Sequence, residues 1–249
     1  MARLDGNMQS FAIGRGGFAF TGARLDRLGA SNYTLATLMI DVTGSVDGFQ
    51  DQLRDMAIQV VESCRFNPMS DNIMLRLALF SSMFAKGINE IHGFTPLRDI
   101  DTASYPKFRP GGMTPLNDAC YSGIGATNAY AKQLADNDYG VNGLLYVVTD
   151  GGENASVATM QMVRDEQQKV VKSETLESMI SILVGINTAN CLADLQRFQN
   201  DAGITHFIDG GQATKSNLAK IAGHISHSIS SQSQALGTGG PSQNISATI

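Results

Sequence analysis

The stretch Leu35-Ala36-Thr37-Leu38-Met39-Ile40-Asp41-Val42-Thr43-Gly44-Ser45 decides how this chain is read. Leu35–Ile40 is a strongly apolar run of strand length, which predicts a strand buried on both faces. It ends on an aspartate, and two hydroxyls and a glycine follow at once. Beyond it, Phe49, Leu53, Met56, Ala57, Val60, Val61 and Cys64 recur at helical spacing and predict an amphipathic helix over residues 48–65.

The same alternation continues downstream. Ile73–Phe80 reads as a strand and Ile88–Ile91 as a short partner strand. The stretch Thr95–Gly112 carries three prolines and predicts a long surface loop. Leu116, Ala119, Cys120, Gly123, Ile124, Thr127, Ala131 and Leu134 mark a helix with Pro115 in its first turn. Leu144–Val148 is a second buried strand, 156–173 a polar helix, Met179–Val184 a strand, 190–201 a helix and Thr205–Ile208 a short strand. Leu218, Ile221, Ala222, Ile225 and Ile229 form the last helix, over about residues 214–230. Strand and helix in repeated succession predict an α/β fold: a doubly wound, mostly parallel sheet with one antiparallel edge strand and helices on both faces. The domain is expected over residues 33–230, flanked by an N-terminal extension at 1–32 and a flexible Ser/Gln/Gly/Thr tail at 231–249. Gly14-Arg15-Gly16-Gly17 lies in that extension. It lacks the G-K-[S/T] ending and a predicted preceding strand, so it is not read as a phosphate loop.

Composition narrows the function classes. The chain of 249 residues is 43% apolar, enough for a large core. Its 18 basic and 23 acidic residues leave a net charge of −5 with no basic stripe, so nucleic acid is not an expected partner. No apolar run is long enough to predict a membrane span. Met1–Asn7 lacks the apolar core of a signal peptide, and the expected location is cytoplasmic or virion-associated. Cys64, Cys120 and Cys191 are odd in number, have no C-x-x-C pairing and fall in predicted helices, which reads as buried thiols rather than disulfides. His224 and His227, three apart on the last helix, have no acidic or Cys partner in register and are read as packing or exposed residues rather than zinc ligands.

In doubly wound sheets, ligands sit outside the carboxyl ends of the strands, where strand order reverses. Two strands end in aspartate there, Asp41 and Asp150, the second within Thr149-Asp150-Gly151-Gly152-Glu153-Asn154. A third polar segment, Gly111-Gly112-Met113-Thr114-Pro115, opens a helix. Carboxylates and hydroxyls from several loops are hard oxygen donors suited to Mg²⁺ or Mn²⁺. Asn154 and Ser156 are read as helix caps, and Glu153 as a solvated or first-turn residue.

Asp41-x-Thr43-x-Ser45 with a distant Thr114 and a distant Asp150 resembles the metal-ion-dependent adhesion site of von Willebrand factor A domains, whose pattern is D-x-S-x-S…T…D. Gly112-Met113-Thr114-Pro115-Leu116-Asn117-Asp118-Ala119 resembles the threonine loop of bacterial and phage-type members, and the match in order and coarse spacing runs across residues 33–230. Thr43 departs from the serine common at its position but keeps the hydroxyl. The resemblance implies that Ser45 and Thr43 ligate a Mg²⁺ or Mn²⁺ ion directly. It implies that Thr114 ligates directly or through water, and that Asp41 and Asp150 ligate or hold the coordinated waters. An open position then takes an Asp or Glu of a protein partner, with Gly44, Gly112, Met113 and Gly151 close by for contact. The chain is accordingly expected to be a binding module and not an enzyme. Two other readings stand beside it. One is a structural component of a phage particle or assembly. The other is a metal-dependent phosphoester hydrolase using Asp41 as nucleophile, against which Thr43 replaces the usual second aspartate and no His or Cys joins the cluster.

Overall fold

The strand Asn32–Asp41 stands inside an eight-stranded sheet, and its burial on both faces explains the uninterrupted apolar run. The computed structural model describes residues 6–14, 17–172 and 176–249. In chain order the elements are β1 (Met8–Ile13), β2 (Phe18–Ala23), β3 (Asn32–Asp41), α1 (Gln50–Arg65), β4 (Ile73–Phe80), β5 (Ile88–Pro96), α2 (Leu116–Ala135) and β6 (Gly140–Thr149). There follow α3 (Met160–Lys172), β7 (Ser178–Gly185), α4 (Leu192–Ala202), β8 (His206–Asp209) and α5 (Lys215–Gly237). The sheet order is β1-β2-β5-β4-β3-β6-β7-β8. From β4 through β8 the strands run parallel. Strand β5 is antiparallel to β4, and the hairpin β1–β2 extends the sheet beyond it.

Side chains alternate across β3 as the pleat requires. Ala36, Leu38 and Ile40 join the core shared with α1 and α5, including Leu53, Val60, Ile221 and Ile225. Leu35 and Met39 join the opposite core, shared with α2, α3 and α4, including Ile124, Val163 and Leu195. Thr37 faces α2 as well, and its hydroxyl lies 3.1 Å from that of Thr127. The chain leaves β3 for β4 on one side, while β6 lies on the other. The order therefore reverses between β3 and β6, and Asp41 and Asp150 stand at that crevice.

Two sequence expectations are corrected and one is made specific. The extension lies on the domain as two strands of its sheet: Phe18 and Phe20 are buried, and Phe20 packs edge-on against Phe94 and Tyr130. Phe18-Ala19-Phe20-Thr21 alternates, but the surrounding glycines and small residues hide it. Strands β2 and β5 approach so closely that a methyl group on Gly93 would lie 1.8 Å from the Thr21 carbonyl oxygen. Arg15 and Gly16 of the glycine-rich run lie outside the described residues, and Gly14 and Gly17 follow β1 and precede β2, so no helix start is present for a phosphate. The stretch 95–112 is not all surface. Leu97, Ile100, Tyr105 and Phe108 are buried against the α1 face, where Arg54 and Arg65 donate to the carbonyls of Tyr105 and Leu97. The tail does not begin at Ser231, because α5 runs on to Gly237 with Gln232, Ser233 and Leu236 buried. Those polar side chains are tolerated because they are bonded: the Gln232 amide oxygen accepts from Ser242 at 2.9 Å, and the Ser233 hydroxyl donates to Met69 O at 3.4 Å.

Cys64 and Cys120 are buried within α1 and α2, whereas Cys191 is half-buried and precedes α4 rather than lying in it. All three are free thiols. His227 is exposed and His224 half-buried. Among the described residues no helix is long and apolar enough to cross a membrane.

Candidate metal centre

Three loops at the carboxyl end of the sheet bring the five sequence-predicted ligands together. Asp41, the last residue of β3, is fully buried. Its Oδ1 accepts from the Thr43 backbone N–H at 2.8 Å, an Asx-type turn that folds the next residues back over the strand end. Its Oδ2 accepts from the Thr149 hydroxyl at 2.6 Å. The Thr43 and Ser45 hydroxyls lie 3.1 Å apart, and Ser45 donates to Asp150 Oδ1 at 2.6 Å. Thr114 Oγ1 lies 3.5 Å from Thr43 Oγ1.

The threonine loop is held by backbone. Gly44 N–H donates to Gly112 O at 3.1 Å, and Gly111 N–H donates to Val42 O at 3.0 Å. Gly112 adopts a left-handed φ of 74°, and a side chain there would meet Ser81 Oγ at 2.7 Å. Thr114 exchanges two hydrogen bonds with Asn154: its N–H donates to Asn154 Oδ1 at 2.7 Å, and its carbonyl accepts from Asn154 N–H at 3.0 Å. Gly44, Gly112 and Met113 are exposed and Gly151 is half-buried, so the predicted contact residues form the open rim.

Glu153, Asn154 and Ser156 act differently from their sequence reading. Glu153 Oε2 accepts from the Asn117 N–H at 2.6 Å, and Ser156 Oγ accepts from the Asp118 N–H at 3.1 Å. Both therefore satisfy free donors at the start of α2, a helix earlier in the chain. Asn154 serves the threonine loop, and the α3 first turn is instead bonded by Thr159, whose Oγ1 accepts from Met162 N–H at 3.3 Å. Asp118 reciprocates by accepting from Val157 and Ala158 N–H groups. Thr149, which the sequence offered only as the neighbour of Asp150, bonds directly to Asp41 Oδ2. The signal for it was its place immediately before Asp150.

Charge at the site is uncompensated by protein. Burial pushes the Asp41 carboxyl up to about 6, opposed by its hydrogen bonds from Thr149 and Thr43, and the nearby Asp150 charge adds to the rise. Burial also raises Asp150. Among the described residues none of the ion pairs involves either carboxylate, and no three His, Cys, Asp or Glu side chains converge anywhere. The donor set is two carboxylates and three hydroxyls, all oxygen. Adjacent vertices of a Mg²⁺ octahedron with 2.0–2.1 Å bonds are about 2.9 Å apart. The Thr43, Ser45, Thr114 and Asp150 oxygens form a hydrogen-bonded chain with links of 2.6, 3.1 and 3.5 Å, near enough for one small ion to touch neighbouring donors. By its chemistry, an all-oxygen set of carboxylates and hydroxyls, the site fits a small, hard divalent cation.

No family profile matches the chain, and no curated relative does. Solved structures match in shape. The D319A mutant of the PilB minor pilin from Streptococcus sanguinis superposes with a TM-score of 0.61 at 15% identity, covering 92% of this chain and 68% of that one. The pilus adhesin SpaC from Lactobacillus rhamnosus GG, in an open conformation, gives 0.59 at 10% identity, covering 90% of this chain and 32% of that one. Proximal thread matrix protein 1 from the mussel byssus gives 0.52 at 13% identity, covering 80% and 48%. At such identities the likeness is one of fold, and it agrees with the α/β architecture described above.

Proposed function

We propose that this chain is a von Willebrand factor A-type, metal-dependent protein-binding module. The observation that carries the reading is the convergence of Asp41, Thr43, Ser45, Thr114 and Asp150 at the strand-order reversal, an all-oxygen donor set linked by hydrogen bonds. Thr43, Ser45 and Thr114 would hold Mg²⁺ or Mn²⁺ through hydroxyl oxygens, and Asp41 and Asp150 would balance its charge. The bound ion supplies a coordination position for a carboxylate oxygen of the partner. The protein's own part is to keep Asp41 out of water by burial, to hold Thr114 through Asn154, and to keep the glycine rim low so that a partner can approach. Similarity of fold to a minor pilin, a pilus adhesin and a byssal matrix protein agrees with a role in protein assembly.

The test is retention of a pool of Asp- and Glu-containing peptides on the immobilised chain. Retention in Mg²⁺ or Mn²⁺ that is lost in chelator, and lost in Ser45→Ala, supports the reading. Equal retention with and without metal sinks it.

A further inference from the structure

The large apolar side chains left exposed among the described residues are unevenly placed. Met83 is 51% exposed and Met113 56%, both on loops that border the candidate centre, while Val157 lies on the loop before α3, Phe66 at the far end of α1 and Ile249 in the C-terminal segment. The two methionine loops are laced together: Met113 N–H donates to Ser82 Oγ at 2.8 Å, and Ser82 N–H donates to Met113 O at 2.9 Å. The Met83 side chain lies along the glycine pair, so that a methyl group on Gly111 would stand 2.6 Å from its Sδ and one on Gly112 3.0 Å from its Cγ. Gly112 O in turn accepts from Gly44 N–H, next to Ser45. Contact by contact, an exposed thioether is thus joined to a candidate metal ligand. Residues 81–84 and 111–114 carry no charged side chain.

From this arrangement we infer that the partner's metal-seeking carboxylate is flanked by a bulky aliphatic or aromatic residue, which packs on Met83 and Met113. The inference rests on the metal-dependent reading above. That reading says what covers the patch, since whatever places a carboxylate over Ser45 also covers the adjacent methionines. The residues beside the two thioethers, 81–84 and 111–114, are uncharged and offer a cation or anion no specific partner, the nearest charges along these loops being Lys86 and Arg109, whereas unbranched, polarisable methionines adapt to apolar and aromatic shapes alike. A partner with a charged or small residue beside its acid would leave the patch in water.

The experiment is selection of a displayed library of random peptides, each with a fixed central Asp or Glu, on the full chain in Mg²⁺ and in chelator. Metal-dependent clones should be enriched in Leu, Met or Phe beside the acid. The Met83→Ser/Met113→Ser double variant should bind the best clone about tenfold more weakly while keeping its metal-dependent rise in melting temperature, and Phe66→Ser should bind as wild type does. Metal-dependent capture of acidic peptides without an apolar preference overturns this inference alone, as does undiminished binding by the double variant. Absence of any metal-dependent capture overturns the carboxylate reading and this inference with it.

Discussion

Ser45 and Asp150 lie 105 positions apart in the chain, and the Ser45 hydroxyl donates to Asp150 Oδ1 across 2.6 Å. That bond closes the loop after β3 onto the loop after β6, at the crevice where strand order reverses. With Asp41 beneath it, buried and bonded to Thr149, it sets two carboxylates around three hydroxyls with no basic side chain among the described residues to neutralise them.

The Asp41 carboxyl, pushed up to about 6 by burial with Asp150 adding to the rise, makes metal affinity depend on pH. A metal must displace the proton that Asp41 retains below that value. Titration calorimetry should show Mg²⁺ or Mn²⁺ affinity falling about tenfold for each pH unit below 6, and level above 7. The metal-free protein behaves in the opposite sense. Its folded-state pKa lies above the unfolded value, so the Asp41 contribution favours folding below about pH 4 and is lost as pH rises through 6. Affinity independent of pH between 5 and 7 would contradict this account of Asp41.

Glu153→Ala removes the carboxylate that accepts from Asn117, Ala155 and Ser156 N–H groups. It should cost about 1–3 kcal/mol in urea unfolding, the price of unbonded donors at the start of α2. The same variant should weaken metal binding, because Thr114 stands between that helix start and Asn154.

Gly112→Ala strains a left-handed position and drives a methyl group toward the hydroxyls of Ser81 and Ser82. The expected loss is about 1–3 kcal/mol, with a weaker metal response, since Gly112 O anchors Gly44. Gly152→Ala has nothing within 4 Å of the added methyl and is the matched control.

Arg76 is fully buried in β4, donates to Glu90 Oε2 at 2.7 Å and to Ser122 Oγ at 3.1 Å. Glu90 Oε1 accepts from both the N–H and the hydroxyl of Thr21 on β2. Glu90→Ala leaves the guanidinium without its counter-ion and should cost about 3–5 kcal/mol. Thr21→Val loses one neutral donor to a carboxylate and should cost about 1–2 kcal/mol. Proteolysis of the 8–23 hairpin should rise in Glu90→Ala more than in Thr21→Val.

What was legible in the sequence follows from how local each signal is. The strands β3, β4, β6 and β7 and the helices α1 and α2 carry their own periodicity, and Asp41, Thr43, Ser45, Thr114 and Asp150 lie where that periodicity ends. The hairpin 8–23 was hidden because Phe20 and Thr21 find Phe94, Tyr130 and Glu90, partners far along the chain. The α1-side packing of Tyr105 and Phe108 was hidden because the prolines around them signal a loop and say nothing of burial. Thr149 and Glu153 escaped because their partners lie 108 and 36 positions away, Asp41 and Asn117 respectively, and only the folded chain brings them together.

The measurement that bears most directly on the central claim is the thermal-unfolding midpoint of wild type and Ser45→Ala in Mg²⁺, in Mn²⁺ and in chelator. Ser45 is exposed, so its substitution leaves the core intact. A ligand bound only by the folded state raises the midpoint with its concentration. The account predicts such a rise in wild type, reversed by chelator and much reduced in Ser45→Ala. A wild-type midpoint unmoved by either metal would contradict it.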